Sequence, residues 1–201
     1  MEKHSAKAEV FEECVILAGV AGLTTALTPL RPIRAAEAPV IGEDGLYHQS
    51  WFLDSFLELE ADLEEATDAG RPLAIFWELK GCPYCMETHL VNLARPDINA
   101  FIRENFVVLQ LNFIGSRIVT DFDGEELSEK QLARKYGVRF TPTIQYFAGP
   151  SGELGKKAPR DREVRRMAGY MKPDHFLGMF KFVRSGAYKT MTFRKYLKSG
   201  S

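Results

Sequence analysis

The fold of this chain is decided by the stretch Trp77-Glu78-Leu79-Lys80-Gly81-Cys82-Pro83-Tyr84-Cys85. The run Pro72–Trp77 is apolar throughout, which predicts a strand buried on both faces. Apolar residues recur after the stretch at helical spacing, which predicts a helix beginning at Pro83. These residues are Met86, Leu90, Leu93 and Ala94. A strand therefore leads through a short turn into a helix that carries two cysteines in its first turn.

The two cysteines are placed for redox chemistry. Pro83 suits the first helical position, so Cys82 is predicted to be the N-cap, with its sulfur among unpaired backbone N–H groups. These donors, the helix dipole and the positive charge of Lys80 favour the thiolate form of Cys82. Cys85 follows on the inner side, close enough to form a disulfide. The pattern predicts thiol-disulfide exchange without a cofactor, in which Cys82 attacks and Cys85 resolves.

Two other uses of these cysteines remain open from spacing alone. A structural disulfide usually joins distant segments, because closing so short a loop constrains the unfolded chain little. A zinc site could add His89, but a closed site needs four ligands, and His48 and His175 stand alone in the sequence, so no metal site is predicted. The non-enzymatic alternative is a carrier that holds a soft metal ion on Cys82, Cys85 and His89 without turnover.

Thr141-Pro142 is the second feature that bears on the site. A strand-like run, Thr143–Phe147, follows it directly. Together with the cysteine motif, this arrangement resembles the thioredoxin superfamily, in which a cis-proline before a central strand lies against the Cys-x-x-Cys turn. The resemblance implies that Pro142 is cis and that the backbone of Thr141 pairs with substrate. The alternative is an ordinary trans proline at the start of a strand.

Within that superfamily, the chain resembles the SoxW-type thioredoxin-related proteins of bacteria. The resemblance implies a monomeric periplasmic oxidoreductase that acts on protein disulfides. It also implies a membrane electron carrier as reductant, a link in many bacteria to sulfur oxidation, and no nucleic-acid partner. The stretches that carry the resemblance are Gly81–Cys85, Ile102–Leu109, Val119–Gly124 and Tyr136–Thr143.

The motif departs from that of thioredoxin at two points. Pro83-Tyr84 stands between the cysteines, where thioredoxins have Gly-Pro, and glutaredoxins and some periplasmic disulfide proteins share this pair. The buried aspartate of thioredoxin corresponds to Ile75, so its proton-shuttle role falls to Glu78, another base or water. Glutaredoxin-like or disulfide isomerase activity is the enzymatic alternative. The residues expected to support the cysteines are Trp77, Glu78, Lys80, Pro83 and Tyr84.

The remaining pattern predicts an α/β protein with a central mixed sheet flanked by helices. The order helix, strand, helix, strand implies a parallel pair joined by a crossover. Ser128-Glu129-Lys130-Gln131 has the form of a capping box at a helix start. The other predicted elements are an amphipathic helix from Trp51 to about Gly70, a helix restarting after Pro96, strands at 106–113 and 143–147, a loop or hairpin at 114–126, a turn at 149–152, an edge strand at 163–167 and a helix from Pro173.

The chain is predicted to contain four segments. Apolar Val15–Leu30 precedes the small-x-small site Ala36-Glu37-Ala38, which predicts export to the periplasm, or a cytoplasmic protein if this segment is not a signal. Residues 39–154 carry 9 Lys+Arg against 19 Asp+Glu, whereas residues 155–201 carry 13 against 3. Either the acidic part neutralises the basic tail, or the tail binds an acidic partner or an anionic membrane. The segments are a signal peptide at 1–38, a linker at 39–50, a thioredoxin-like domain at 51–184 and a basic tail at 185–201.

Overall fold

The computed structural model describes residues 38–200, so the predicted signal peptide lies outside the described residues except for Ala38. The strands are β1 Val40–Ile41, β2 Tyr47–His48, β3 Leu73–Glu78, β4 Val107–Asn112, β5 Ile118–Thr120, β6 Glu126–Ser128, β7 Thr143–Phe147 and β8 Arg165–Ala168. The helices are α1 Leu59–Asp68, α2 Pro83–Glu87, α3 Pro96–Asn105, α4 Glu129–Lys135, α5 Ser151–Leu154, α6 Pro159–Arg162, α7 Pro173–Arg184 and α8 Phe193–Lys198. A π-helical turn, Thr88–Asn92, continues α2, and a 3₁₀ turn, Ala187–Lys189, precedes α8.

A four-stranded mixed sheet in the order β4-β3-β7-β8 is the centre of the domain. β3 pairs in parallel with β4, so the helices between them form the predicted crossover. β7 is antiparallel to both β3 and β8, and Trp77 near the end of β3 pairs with Thr143 at the start of β7. The carboxyl end of β3, which leads to the cysteines, therefore lies beside the strand that follows Pro142.

Side chains of β3 alternate between two cores, because successive residues of a strand point to opposite faces. Leu73, Ile75 and Trp77 pack on one face with residues of α1 and α4. Ala74 and Phe76 pack on the other face with residues of α3, α7 and α8. All five side chains are buried, which confirms the prediction of a strand covered on both faces.

The beginning of the described chain differs from its prediction. Residues 39–50, interpreted as a linker, contain the antiparallel pair β1 and β2. The helix predicted from Trp51 begins only at Leu59, because Leu57 adopts a left-handed backbone with φ 63° that interrupts a right-handed helix. The spacing of Phe56 from Leu59 and Leu63 predicts that it lies on the apolar face of that helix, but its side chain is 97% exposed.

Most later elements agree with the sequence analysis. Ser128 and Gln131 form the predicted capping box at the start of α4, and α3 begins at Pro96. The loop at 114–126 contains most of the antiparallel hairpin formed by β5 and β6. β8 forms an edge of the sheet, as expected, whereas the predicted turn at 149–152 contains the start of α5.

The basic C-terminal tail packs on the domain instead of leaving it. Tyr196 in α8 is 8% exposed, and its ring centroid lies 5.1 Å from that of Phe182 in α7. Phe193 contacts the same ring from the start of α8, at 5.5 Å. These aromatic contacts extend the second core to the end of the described chain, beyond the boundary at residue 184 taken from the sequence.

The two edges of the central sheet are covered or charged. Beside β4, the backbone N–H of Leu53 donates to Val108 O at 2.7 Å, and Arg117 Nη2 donates to Gln110 O at 3.3 Å. The opposite edge is β8, which carries Arg165 and Arg166. Charged side chains and covering segments disfavour the addition of another strand.

Among the helices between residues 38 and 200, none combines the length and apolar character that a membrane span requires.

Candidate redox site

The turn between β3 and α2 presents the two cysteines. Gly81 adopts φ 75°, a left-handed conformation that glycine reaches without a Cβ clash. Cys82 is the N-cap and Pro83 the first helical residue, as predicted. The backbone N–H of Cys85 donates to Cys82 Sγ at 3.1 Å. Cys82 and Cys85 are joined as a disulfide, with their Cα atoms 5.3 Å apart, within the usual range for such a bond.

The two sulfurs differ in their access to a substrate. Cys85 is only 4% exposed, whereas Cys82 is partly exposed. The carbonyl oxygen of Thr141 lies 3.6 Å from Cys82 Sγ, and the Thr141–Pro142 peptide is cis, as the resemblance implies. Of the two cysteines, Cys82 is therefore the more accessible to solvent, and it lies beside the backbone of Thr141.

The cysteine helix turns a polar face inward, which the sequence analysis did not predict. Met86 and Leu90, from the apolar series that predicts this helix, are 40% and 47% exposed. The π-helical turn has a wider repeat than an α-helix and changes which later residues face inward. The buried polar groups are tolerated because they are hydrogen-bonded, as Asn92 Nδ2 is to Met171 O at 2.9 Å. The buried residues of this segment are Cys85, Thr88, His89, Asn92 and Leu93.

A network of buried polar side chains connects β3, β4 and the cysteine helix. Glu78, the last residue of β3, is 1% exposed and accepts hydrogen bonds from His89 Nε2 at 2.9 Å and from Gln110 Nε2. Gln49 Nε2 lies 3.2 Å from His89 Nδ1, so each ring nitrogen of His89 has a hydrogen-bond partner in the network. Gln110 Nε2 also donates to Tyr47 O at 2.9 Å, and Tyr47 lies two positions before Gln49 in the chain. The network holds one carboxylate and one imidazole away from bulk water.

Two of the predicted supporting residues, Trp77 and Tyr84, contact side chains of other parts of the chain. Trp77 Nε1 donates to Gln145 Oε1 at 2.6 Å, which joins β3 to β7 in the interior. Tyr84 is 58% exposed, and its ring stacks on that of Tyr170 with centroids 5.8 Å apart. Burial and a hydrogen bond to Glu87 raise the pKa of Tyr170, so its hydroxyl stays protonated. Tyr84 and Tyr170 thus form an aromatic surface beside the cysteine turn.

A cavity of about 520 Å³ lies between the β1–β2 hairpin and the cysteine turn. Glu78, Lys80, Cys82 and Cys85 line it on the side of the turn. The Lys80 stem lies against Gly45, where an added Cβ would come within 2.7 Å of Lys80 Cδ. Residues 140–142 do not line this cavity, so it lies on a different side of Cys82 from Thr141. Its hairpin wall consists of Ile41, Gly42, Glu43, Gly45, Leu46 and Tyr47.

The acidic residues after β5 are paired with side-chain cations. Asp121 accepts from Arg162 Nη1 at 2.8 Å, and Asp123 accepts from Arg162 Nη2 and Lys135 Nζ at 2.7 Å each. Burial alone would raise the pKa of Asp123, but these hydrogen bonds together outweigh burial and lower the pKa below its usual value. Between residues 38 and 200, no three His, Cys, Asp or Glu side chains are grouped as metal ligands. Both ring nitrogens of His89 are engaged within the network, which weighs against the metal-carrier hypothesis.

Sequence reasoning found the cysteines, Thr141 and Glu78 but missed most of the buried network. The sequence analysis considers His89 only as a metal ligand, and it gives Gln49 and Gln110 no role. A signal was present in the helix itself, because a polar series at helical spacing lies opposite its exposed apolar residues. That series consists of Cys85, Thr88, His89 and Asn92.

Comparison with known proteins agrees with this geometry. Residues 59–184 match the family model of a thioredoxin-like domain, and no curated protein matches the chain. A thioredoxin-fold protein from Helicobacter pylori superposes with a TM-score of 0.52 at 21% identity, over 64% of this chain and 83% of that one. A thioredoxin from Thermus thermophilus gives a TM-score of 0.46 at 24% identity over 63% and 83% of the two chains. The DsbH oxidoreductase gives 0.42 at 14% identity over 82% and 94%. The family match and the structure from Helicobacter pylori confirm the predicted thioredoxin fold.

Proposed function

We propose that this chain, which belongs to the family of thioredoxin-like domains, is a thiol-disulfide oxidoreductase that reduces disulfides of partner proteins. The observation that carries the proposal is the Cys82–Cys85 disulfide at a helix start, with Thr141 O 3.6 Å from the accessible sulfur. In the reduced protein, the Cys82 thiolate attacks one substrate sulfur and displaces the other as a thiolate. Cys85 then attacks Cys82 Sγ, so the substrate leaves as a dithiol and the enzyme as a disulfide.

The surroundings of the two sulfurs support this order of attack. The N–H of Cys85 already points at Cys82 Sγ, and the same donor stabilises a thiolate there once the disulfide is reduced. Cys85 is buried and cannot receive a protein substrate directly. The carbonyl of Thr141, beside the reacting sulfur, offers backbone pairing to the substrate, which orients its disulfide.

Glu78 is the base proposed for the second step. Cys85 must lose its proton before it can attack, and Glu78 and Cys85 line the same cavity. The hydrogen bonds from His89 and Gln110 hold the Glu78 carboxyl group in a fixed orientation for receiving this proton. Glu78→Gln should slow release of the mixed disulfide by about 10²-fold and leave its formation unchanged. The exposed Glu104→Gln is the matched control, and equal release rates in the two variants would remove the role of Glu78.

Trapping of reaction intermediates tests the proposed function. The reduced Cys85→Ser variant should accumulate a mixed disulfide with a chain of disulfide-bonded insulin or with a disulfide-bonded partner protein, because the first step proceeds and the second cannot. Cys82→Ser should accumulate none, and Cys14→Ser should turn over like the wild type. Failure of the reduced wild-type protein to reduce any protein or small disulfide would overturn the proposal. Equal trapping by both motif variants would overturn the order of attack.

The proposal extends to a SoxW-like role in the periplasm. It places the oxidised enzyme downstream of a membrane electron carrier and links it to sulfur oxidation. Its support is the small-x-small site at residues 36–38 and the four stretches of sequence resemblance. Fractionation of a tagged full-length protein should find a form shortened by about 38 residues outside the cytoplasm. Full-length protein confined to the cytosol would overturn export and leave the redox chemistry untouched.

A further inference from the structure

We propose that the cavity between the β1–β2 hairpin and the cysteine turn is a subsite for a bulky apolar side chain that flanks the reacting cysteine of the substrate. The inference rests on the proposed function, because Cys82 must hold the substrate by its sulfur. It adds a preference for a class of protein disulfide that the cysteine motif alone does not confer.

The position of the cavity relative to Cys82 is the first argument. Cys82 lies on its border, whereas residues 140–142 do not line it. A substrate whose sulfur is bonded to Cys82 and whose backbone pairs with Thr141 lies between Thr141 and the cavity. Residues on the far side of its cysteine are therefore directed toward the hairpin. The cavity borders Cys82 on that side, and its volume has room for one of their side chains.

The size and lining of the cavity determine what it accepts. Its volume of about 520 Å³ lies within the range of ligand sites, about 300–1,000 Å³, which are mostly apolar with a few polar groups. The charged lining residues are Glu43, Glu78 and Lys80, and most of the other residues of the walls are apolar. The cavity therefore favours an apolar side chain over a charged one. Its apolar walls are formed by Ile41, Leu46, Tyr47, Leu79, Pro83 and Met86.

The hairpin wall is held in place without a substrate. Gly42 N–H donates to Leu46 O at 3.0 Å, and Gly45 N–H donates to Gly42 O at 2.9 Å. The Tyr47 ring lies 5.9 Å from that of His89, and Gln110 donates to Tyr47 O. The wall is thus tied to the buried network behind the cysteines. A preformed site loses little conformational freedom on binding, which favours affinity.

Ile41 identifies a variant that tests the wall alone. It is 59% exposed and lines the cavity, whereas its neighbour Val40 is 70% exposed and does not. Ile118, 57% exposed in the distant β5–β6 hairpin, has the same residue type in the same kind of element. Serine at any of the three positions removes exposed apolar surface and no core contact. Val40→Ser and Ile118→Ser are therefore matched controls for Ile41→Ser.

The experiment compares two peptide disulfides that differ only beside the cysteine, one with leucine and one with serine. The wild-type protein should reduce the leucine peptide with a kcat/KM about 10-fold higher or more, as burial of one such side chain allows. Ile41→Ser, and Met86→Ser on the opposite wall, should reduce this ratio toward one. Val40→Ser and Ile118→Ser should keep it.

Each contrary result has a distinct meaning. Equal rates for the two peptides in the wild type, or an unchanged ratio in both Ile41→Ser and Met86→Ser, would overturn the subsite while the redox function stands. A ratio lost in Val40→Ser or Ile118→Ser as well would show that the preference arises elsewhere, and would also overturn it. No reduction of either peptide or of hydroxyethyl disulfide would overturn the proposed function itself.

Discussion

Asp62 in α1 makes the stability of the protein depend on pH in a direction opposite to that of most carboxylates. The residue is 6% exposed, and Ser55 Oγ lies 2.7 Å from each of its carboxyl oxygens. Burial raises the pKa of Asp62 from 3.8 to about 6, against the Ser55 hydrogen bond and with a smaller contribution from the charges of Glu65 and Glu58. The native state therefore binds this proton more tightly than the unfolded chain.

The sign and size of the effect follow from that difference. Stabilisation by this proton is complete below about pH 4 and is lost as the pH rises through about 6, because the unfolded carboxyl ionises first. The two pKa values correspond to about 3 kcal/mol in full, at 1.36 kcal/mol for each tenfold change. Partial contact of the carboxyl with solvent screens the effect, and we expect about 2 kcal/mol.

Asp62→Asn isolates this contribution, since the amide keeps an acceptor for Ser55 and cannot ionise. The free energy of unfolding should be measured in urea at intervals from pH 4 to pH 7 for the wild type and the variant. The variant should gain about 2 kcal/mol relative to the wild type over this range. The exposed Glu64→Gln on the same helix should show a constant difference. A constant difference for Asp62→Asn, or a gain toward low pH, would refute the reasoning.

Two further predictions concern packing and buried charge. Tyr196→Ala should lower the free energy of unfolding by about 3 kcal/mol, because it leaves a cavity between α8 and α7. The adjacent Lys195→Ala is the control and should change that free energy by less than about 0.5 kcal/mol. Equal urea midpoints for the two variants would mean that the tail does not pack on the domain. Arg162→Met should lower the free energy of unfolding by about 3 kcal/mol, because it removes a charge partner from the buried Asp121. Arg160→Met, on the same short helix, is the control and should leave the thermal unfolding temperature unchanged. A neutral Arg162→Met would show that Lys135 alone compensates Asp121.

Features that depend on local chemistry could be predicted from the sequence. Cys82 caps its helix because Pro83 follows it, and Ser128 caps α4 through a residue three positions later. Both devices use neighbours in the chain, so their residue types are sufficient to identify them. The apolar run of β3 is equally local, and its burial on two faces was predicted for the same reason.

Features that depend on distant partners could not be predicted in this way. The bond between Gln49 and His89 spans 40 positions, and that between Gln110 and Glu78 spans 32. Each of these side chains would be an unfavourable core residue alone, and only the folded arrangement makes it acceptable. The left-handed backbone at Leu57 could not be predicted either, because a leucine residue gives no indication of a positive φ. The helix predicted through this position was wrong for that reason.

The protected edges of the central sheet have a consequence for the way in which another chain can pair with this protein. Leu53 and Arg117 occupy backbone groups along β4, and the arginines of β8 border the other side. A partner with an exposed strand therefore finds no template for sheet extension along the central sheet of residues 38–200. Backbone pairing is limited to the short segment at Thr141, which is too small to hold a partner after its sulfur is released. The central sheet is thus a poor nucleus for aggregation with other chains.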